Sequence, residues 1–150
     1  MAKVTRKRTG KVAKMPASIC WFEVPADDIA RAKKFYGRLF GWTFAKIPAA
    51  IHDYWHIDTA GKDASPDGGL MPRMYPGQSI TNYVAVPSVS RAAAKVQKLG
   101  GSVCKPKTEV PGMGYFAICE DTEGNTFALW EPMRHKTRKA PRARSSKGRS

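Results

Sequence analysis

The sequence predicts an α+β fold built from two βαβββ modules, because a strand–helix pattern recurs about sixty residues further along the chain. In each copy, apolar residues at helical spacing lead to a glycine that is suited to end a helix. Three extended segments then follow. The two sheets of four strands are expected to join, with both helices on the convex side and a concave face opposite. The positions that match are Ile29, Ala32, Tyr36, Leu39 and Gly41 in the first copy and Val89, Ala92, Val96, Leu99 and Gly101 in the second.

The first module is predicted over about residues 17–75. Ser18 to Val24 alternates as a strand does, and Pro25 is expected to end that strand. Asp27 or Asp28 is a suitable N-cap for a helix that continues to about Phe40. Further strands are predicted at residues 42–47, 53–59 and 69–73.

The second module is predicted over about residues 80–132 and repeats this order. Asp121 is expected to stabilise a tight turn between the last two strands, and Glu131 is expected to form a structural ion pair. The predicted elements are a strand at residues 82–86, a helix at 90–99, and strands at 102–106, 114–120 and 125–131.

Positive charge is concentrated at the two ends of the chain. The net charge is +14, yet residues 1–14 and 134–150 contain no acidic residue, whereas the segment between them is neutral. Basic segments with so little apolar content cannot offset the entropy cost of ordering. We therefore predict a folded domain at residues 16–133 between disordered basic tails at 1–15 and 134–150. The tails serve solubility or make non-specific contact with nucleic acid.

Cysteine usage favours a reducing compartment. Cys20, Cys104 and Cys119 are odd in number, contain no Cys-x-x-Cys pair and lie in apolar, strand-like segments. Three buried thiols in a cytoplasmic protein are the expected arrangement. No apolar run approaches the roughly 18 residues of a membrane span, so no membrane association is predicted.

Three segments resemble the glyoxalase/bleomycin-resistance/extradiol-dioxygenase superfamily, also called vicinal oxygen chelate proteins. They are the segment from Phe22 to Asp28 before the first helix, the helical segment from Ala32 to Trp42, and the final segment from Asp121 to Pro132. The resemblance covers about residues 17–132. It implies a cupped sheet of two βαβββ modules, often assembled as a homodimer. The superfamily includes isomerases, dioxygenases and drug-sequestering proteins, so the fold does not fix the function.

The resemblance also implies a divalent metal on the floor of the cup, held by His, Gln or Glu. The matching positions in this chain are Trp21, Tyr83 and Ala128, and residues 68–79 contain no His, Asp or Glu. We therefore predict no metal and no cofactor. Glu23 and His56 remain as an alternative two-ligand or acid/base pair.

Strand alternation instead predicts an aromatic cup. Trp55 and Ile57, and likewise Phe116 and Ile118, are expected to face the helices. A concave site with aromatic walls and a few polar groups is typical of small-molecule binding. Alternatively, the aromatic side chains pack on one another or on a second subunit. The predicted ligand-binding residues are Trp21, Glu23, Tyr54, His56, Tyr83, Tyr115 and Trp130.

These observations favour a metal-free protein that binds a small organic ligand in an aromatic cup, with or without turnover. Whether the chain is an enzyme is left open, and no catalytic residue is assigned. One alternative is a lyase, isomerase or dioxygenase with a degenerate metal site. A second is a nucleic-acid-associated protein that acts through its basic tails.

Overall fold

One mixed sheet of eight strands carries two helices on one face. The computed structural model describes residues 17–48, 50, 52–61 and 66–134. The predicted tails, apart from Arg134, lie outside the described residues. The elements are β1 (Ile19–Ala26), α1 (Ile29–Phe40), β2 (Thr43–Lys46), β3 (Trp55–Asp58), β4 (Gly68–Pro72), β5 (Thr81–Ala85), α2 (Val89–Lys98), β6 (Ser102–Val110), β7 (Gly114–Glu120) and β8 (Thr126–Pro132).

The strand order β2-β3-β4-β1-β5-β8-β7-β6 confirms the two βαβββ modules. Each module supplies four neighbouring strands. Within a module the first and last strands are parallel, β1 with β4 and β5 with β8. The modules meet where β1 and β5 pair in antiparallel fashion, so the centre of the sheet is built from the equivalent strand of each module.

Local capping explains where α1 begins and ends. The Asp28 carboxylate accepts a hydrogen bond from the Arg31 backbone N–H at 2.9 Å, which satisfies one of the unpaired donors of the first turn. Gly41 ends the helix with a φ of 73°, a left-handed conformation that glycine adopts without strain. The sequence prediction for this helix is confirmed at both ends.

Side chains from two elements stabilise the start of α2. Ser88 is the N-cap and accepts from the Arg91 backbone N–H at 3.3 Å. The Glu131 carboxylate, on β8, accepts from the Val89 backbone N–H at 2.8 Å and lies 3.7 Å from the Lys107 ammonium. Glu131 therefore makes the predicted structural ion pair and also fixes the helix to the sheet.

The apolar core lies between the helices and the sheet and has one cluster in each module. Ile57, Leu70 and Val89 have no exposed surface. Leu39 and Leu99, which belong to the repeated apolar pattern, are instead 58% and 68% exposed because each stands at a helix end beyond the sheet contact. The buried residues are Val24, Ala26, Ile57 and Leu70 in the first cluster and Val86, Val89, Ala117, Cys119 and Leu129 in the second.

Three local expectations were wrong. Pro25 does not end β1, which continues to Ala26, where the backbone carbonyl accepts from the Arg73 N–H at 3.0 Å and keeps β1 joined to the end of β4. Strand β6 extends to Val110, with register irregularities that bend it along β7. Cys104 is exposed, because β6 is an edge strand.

Neither helix in the described part of the chain is long and apolar enough to cross a membrane.

Candidate functional site

The candidate site lies on the sheet face opposite the helices, here called the cup face, where β1 meets β5. In this pairing Trp21 lies opposite Tyr83, and Glu23 lies opposite Thr81. Paired residues of neighbouring strands point to the same side of a sheet. Both modules therefore contribute side chains to one site at their junction.

The Glu23 carboxylate is the centre of a hydrogen-bond network. The Tyr83 hydroxyl donates to Glu23 Oε1 at 2.5 Å, and the Tyr54 hydroxyl donates to Glu23 Oε2 at 2.9 Å. The Trp21 indole Nε1–H in turn donates to the Tyr54 hydroxyl oxygen at 3.0 Å. Each carboxylate oxygen thus has a phenolic donor, as a partly buried acceptor requires.

Burial and the nearby carboxylate raise the pKa of both phenols. Burial is the larger cause, and the negative charge of Glu23 adds to it by opposing a second negative charge. Tyr54 and Tyr83 consequently remain protonated hydrogen-bond donors at neutral pH. The direction of each hydrogen bond is therefore fixed: the two neutral phenols donate, and the Glu23 carboxylate accepts.

Gly69 provides the space in which Tyr54 lies. In the sheet register Gly69 is opposite Glu23 on one side and opposite His56 on the other. A Cβ atom built on Gly69 would overlap the hydroxyl oxygen and Cζ of Tyr54. Any other residue at this position would displace the phenol from Glu23. The sequence analysis did not identify Gly69, although the Gly68-Gly69 pair within a strand is a signal of close approach.

His56 forms the outer wall of this half of the site. Its ring is stacked on Trp21, with centroids 5.5 Å apart and an interplanar angle of 6°. Its Nε2 lies 3.1 Å from Asp67 Oδ2, and Asp67 Oδ1 accepts from the Thr59 backbone N–H at 3.1 Å. Asp67 therefore orients the imidazole. The sequence analysis missed Asp67, which is the last residue before β4 and is separated from His56 by a loop.

The second half of the cup face is apolar and aromatic. Phe116 packs 6.4 Å from Tyr83, centroid to centroid, and is paired with Trp130 across β7 and β8. The Lys105 ammonium lies 5.2 Å above the Phe116 ring. The carboxylate network therefore lies on the side of the first module, and the side of the second is aromatic with one ammonium group over a ring.

The expected orientation of β7 was wrong. Tyr115 and Ala117 were expected to face the cup, but both pack with the helix-side cluster, and Phe116 faces the cup instead. Ala117 pairs with Leu129, and Cys119 pairs with Phe127, so these small residues let α2 approach the sheet. Because both faces of β7 are apolar, alternation alone could not select between them, and a one-residue offset reverses every side chain.

Six of the seven predicted site residues thus lie on the cup side. Trp21, Glu23, Tyr54, His56 and Tyr83 are connected by hydrogen bonds or stacking, whereas Trp130 lies in the aromatic half. Tyr115 lies on the opposite face. Among the described residues Glu23 and His56 do not bond each other, because each is held by other partners.

The donor set of the cup does not fit a divalent metal. Among the residues that the structure describes, no three His, Cys, Asp or Glu side chains converge. The Glu23 oxygens accept hydrogen bonds from two phenols whose pKa is raised, and the residue paired with Tyr83 on β8 is the buried Ala128. A divalent ion needs several lone-pair donors directed at one point. The cup offers hydrogen-bond partners instead.

Comparisons with known proteins agree with this architecture. Residues 18–50 match the family described as bleomycin resistance protein-like N-terminal. The chain is 33% identical over 119 residues to a glyoxylase-like domain-containing protein of Didymella fabae, covering 74% of this chain and 91% of that protein.

Two bacterial relatives are longer than this chain. It is 28% identical over 135 residues to the anthracycline biosynthesis protein DnrV of Streptomyces peucetius, covering 77% of this chain and 47% of that protein. It is also 30% identical over 119 residues to CFP32 of Mycobacterium tuberculosis, which carries the name of a glyoxylase, covering 77% and 44%. The chain thus spans less than half the length of both relatives.

Solved structures share the fold at low sequence identity. Methylmalonyl-CoA epimerase from Mycobacterium tuberculosis superposes with a TM-score of 0.60 at 12% identity, covering 77% of this chain and 88% of that one. Protein BH1468 from Bacillus halodurans superposes with a TM-score of 0.62 at 10% identity, covering 81% and 98%. Because its sheet has two βαβββ modules and it is 33% identical to the Didymella protein over 91% of that protein, the chain belongs to the glyoxalase/bleomycin-resistance superfamily.

Proposed function

We propose that the chain is a metal-free binding protein for a small, planar or partly apolar organic molecule that carries a hydrogen-bond donor. The observation that carries this proposal is the Glu23 carboxylate, whose oxygens accept from Tyr54 and Tyr83 on the cup face. An acceptor held in this way suits an O–H or N–H group of a ligand, since a carboxylate has more than two acceptor directions.

The aromatic half of the cup supports a planar ligand. Phe116 and Trp130 lie beyond Tyr83 and are not fully buried, so their rings are available to contact a ligand. Aromatic side chains provide large contact areas at low entropic cost. The polar group of the ligand would lie at Glu23 and its apolar body along these rings, with His56 and Asp67 bounding the polar end.

The relatives give this proposal a chemical direction. One relative is named for anthracycline biosynthesis, and the matching family model is named for bleomycin resistance. Both names refer to organic natural products that contain aromatic rings. Within the described residues no three His, Cys, Asp or Glu side chains converge, so the cup itself gives no support to the alternative of a lyase, isomerase or dioxygenase with a degenerate metal site.

Binding of 2-naphthol measured by calorimetry tests the proposal. We expect saturable binding of one molecule per chain, and weaker binding of 2-methoxynaphthalene, which cannot donate a hydrogen bond to Glu23. Glu23→Gln and Trp130→Ala should each weaken 2-naphthol binding by about 1–3 kcal/mol. Glu109→Gln is the matched control, because this carboxylate is exposed on edge strand β6. Equal affinity in the wild type and both site variants would place the ligand elsewhere.

A homodimer and a cytoplasmic location are further parts of the proposal. Exposed apolar side chains on α1, namely Phe35 and Phe40, provide surface for contact between subunits. The three free cysteines suit a reducing compartment. Sedimentation equilibrium over a concentration series tests the dimer, and a single monomeric species throughout would contradict it.

A further inference from the structure

We propose that the Tyr54 phenol occupies the position in the cup where the ligand binds. The ligand is then a hydroxyaromatic compound whose hydroxyl group replaces that of Tyr54. This inference rests on the proposed function and names the class of compound that the cup would take. Tyr54 is then a competitor of the ligand, in contrast to an ordinary lining residue.

Tyr54 lies over a position of the sheet that has no side chain. Gly69 lies between Glu23 and His56 in the sheet register, and its missing side chain leaves a hollow over bare backbone. The Tyr54 phenol occupies that hollow so closely that a Cβ on Gly69 would overlap it. The absence of a side chain at Gly69 is therefore what allows a phenol to lie at this point of the sheet.

The Tyr54 hydroxyl makes two hydrogen bonds that a ligand hydroxyl could make in its place. It accepts from Trp21 Nε1–H at 3.0 Å and donates to Glu23 Oε2 at 2.9 Å. A ligand hydroxyl at the same point would recover both bonds. A ligand without an O–H group would leave Glu23 Oε2 without that donor, which is costly for a partly buried carboxylate.

The two phenols that donate to Glu23 differ in exposure and in their place in the sheet. Tyr83 lies within the central strand β5 and is 8% exposed. Tyr54 precedes β3 and is only partly buried, and its backbone carbonyl accepts from the Ile47 N–H at 3.0 Å. A side-chain rotation of Tyr54 would open the hollow while the backbone contact with Ile47 is retained. Tyr54 is therefore the phenol that is placed to leave.

If the ligand displaces Tyr54, the direction in which Tyr54 variants change ligand affinity can be predicted. A ligand that must first displace Tyr54 binds with an affinity reduced by the fraction of molecules in which the hollow is open. Removing Tyr54 should therefore tighten the binding of a phenol, whereas removing an ordinary contact residue would weaken it. Removing only the hydroxyl should give an intermediate gain, because the ring then lacks its two hydrogen bonds.

Calorimetric titration with 4-methylphenol tests the inference. We expect about tenfold tighter binding in Tyr54→Ala than in the wild type, for an open fraction near one tenth. A smaller gain is expected in Tyr54→Phe, which also serves if Tyr54→Ala fails to fold. Tyr75→Ala is the control, since Tyr75 is 54% exposed and far from this network in the chain. 4-Methylanisole, which lacks the O–H group, should gain less from Tyr54→Ala than 4-methylphenol does.

Adding Gly69→Ala to Tyr54→Ala should abolish the gain by filling the hollow. Weaker binding in both Tyr54 variants than in the wild type would overturn the inference, and so would the absence of 4-methylphenol binding in every variant. A failure of the broader proposal, that the cup binds the ligand, would give a different result: Glu23→Gln and Trp130→Ala would leave the affinity for 2-naphthol unchanged. The two outcomes are therefore separable.

Discussion

The Tyr83 hydroxyl reaches Glu23 across the junction of the two modules, and the two residues come from equivalent central strands. Glu23 lies on β1 and Tyr83 on β5, so neither module alone contains the network. The fold thus uses its internal duplication to build an asymmetric site. One module contributes the carboxylate, and the other contributes a phenol and the aromatic surface beyond it.

Gly69→Ala should disrupt the site more than the fold. The new methyl group would displace the Tyr54 phenol and break its hydrogen bonds to Trp21 and Glu23. We expect a shift of the Trp21 indole N–H signal in NMR spectra and a loss of about 1–3 kcal/mol of stability. Gly37→Ala is the matched control, because it lies within α1, where a Cβ makes an ordinary contact. An unchanged Trp21 signal in Gly69→Ala would contradict the assigned geometry.

The free energy of unfolding should decrease above about pH 10, because Tyr54 and Tyr83 have raised pKa values in the folded chain. A raised folded-state pKa gives stability that is present below the unfolded-state pKa and is lost as pH rises beyond it. Urea unfolding between about pH 8 and 11 measures this decrease. It should become shallower in Tyr54→Phe and in Tyr83→Phe.

Tyr75→Phe is the control for these two variants, since it removes an exposed phenol that makes none of the hydrogen bonds of the network. Absorbance at alkaline pH gives an independent check, because the phenols of Tyr54 and Tyr83 should ionise only on unfolding. Ionisation of all tyrosines near their ordinary pKa in the folded protein would contradict the network.

Truncation of a buried and of an exposed apolar residue in the first module should have very different effects on the free energy of unfolding. Ile57→Ala should cost about 2–5 kcal/mol, since this fully buried side chain would leave a cavity. Leu39→Ala should change stability by no more than about 0.5 kcal/mol, because Leu39 is largely exposed. Chemical denaturation measures both, and a comparable cost for the two variants would place Leu39 in a buried contact.

The repeated helical pattern and its glycine stops were sufficient to predict the modules and their order. Side-chain alternation placed Trp21 and Glu23 on one face of β1, because the other face is apolar, and the match between β1 and β5 in the repeat placed Tyr83 with them. The same reasoning failed for β7, where Phe116 and Ala117 are both apolar and only pairing with β8 decides the orientation.

The hydrogen bonds between the site residues were harder to predict than the residues themselves. Glu23 was expected to meet His56 or a ligand, yet it accepts from Tyr54 and Tyr83. The reason is the hollow over Gly69, a feature that arises from the register of three strands and leaves no periodic signal in the sequence. Asp67 likewise contacts His56 because β3 and β4 are antiparallel neighbours, which brings the residue that precedes β4 close to His56.

The central claim, that the cup face binds the ligand, is tested most directly by the four tryptophan indole N–H signals during titration with 2-naphthol. Trp21 and Trp130 lie on the cup face, whereas Trp42 and Trp55 pack with the helix-side cluster. We expect the signals of Trp21 and Trp130 to shift in a saturable manner while those of Trp42 and Trp55 stay in place. Shifts confined to Trp42 and Trp55, or no shift at saturating 2-naphthol, would contradict the account.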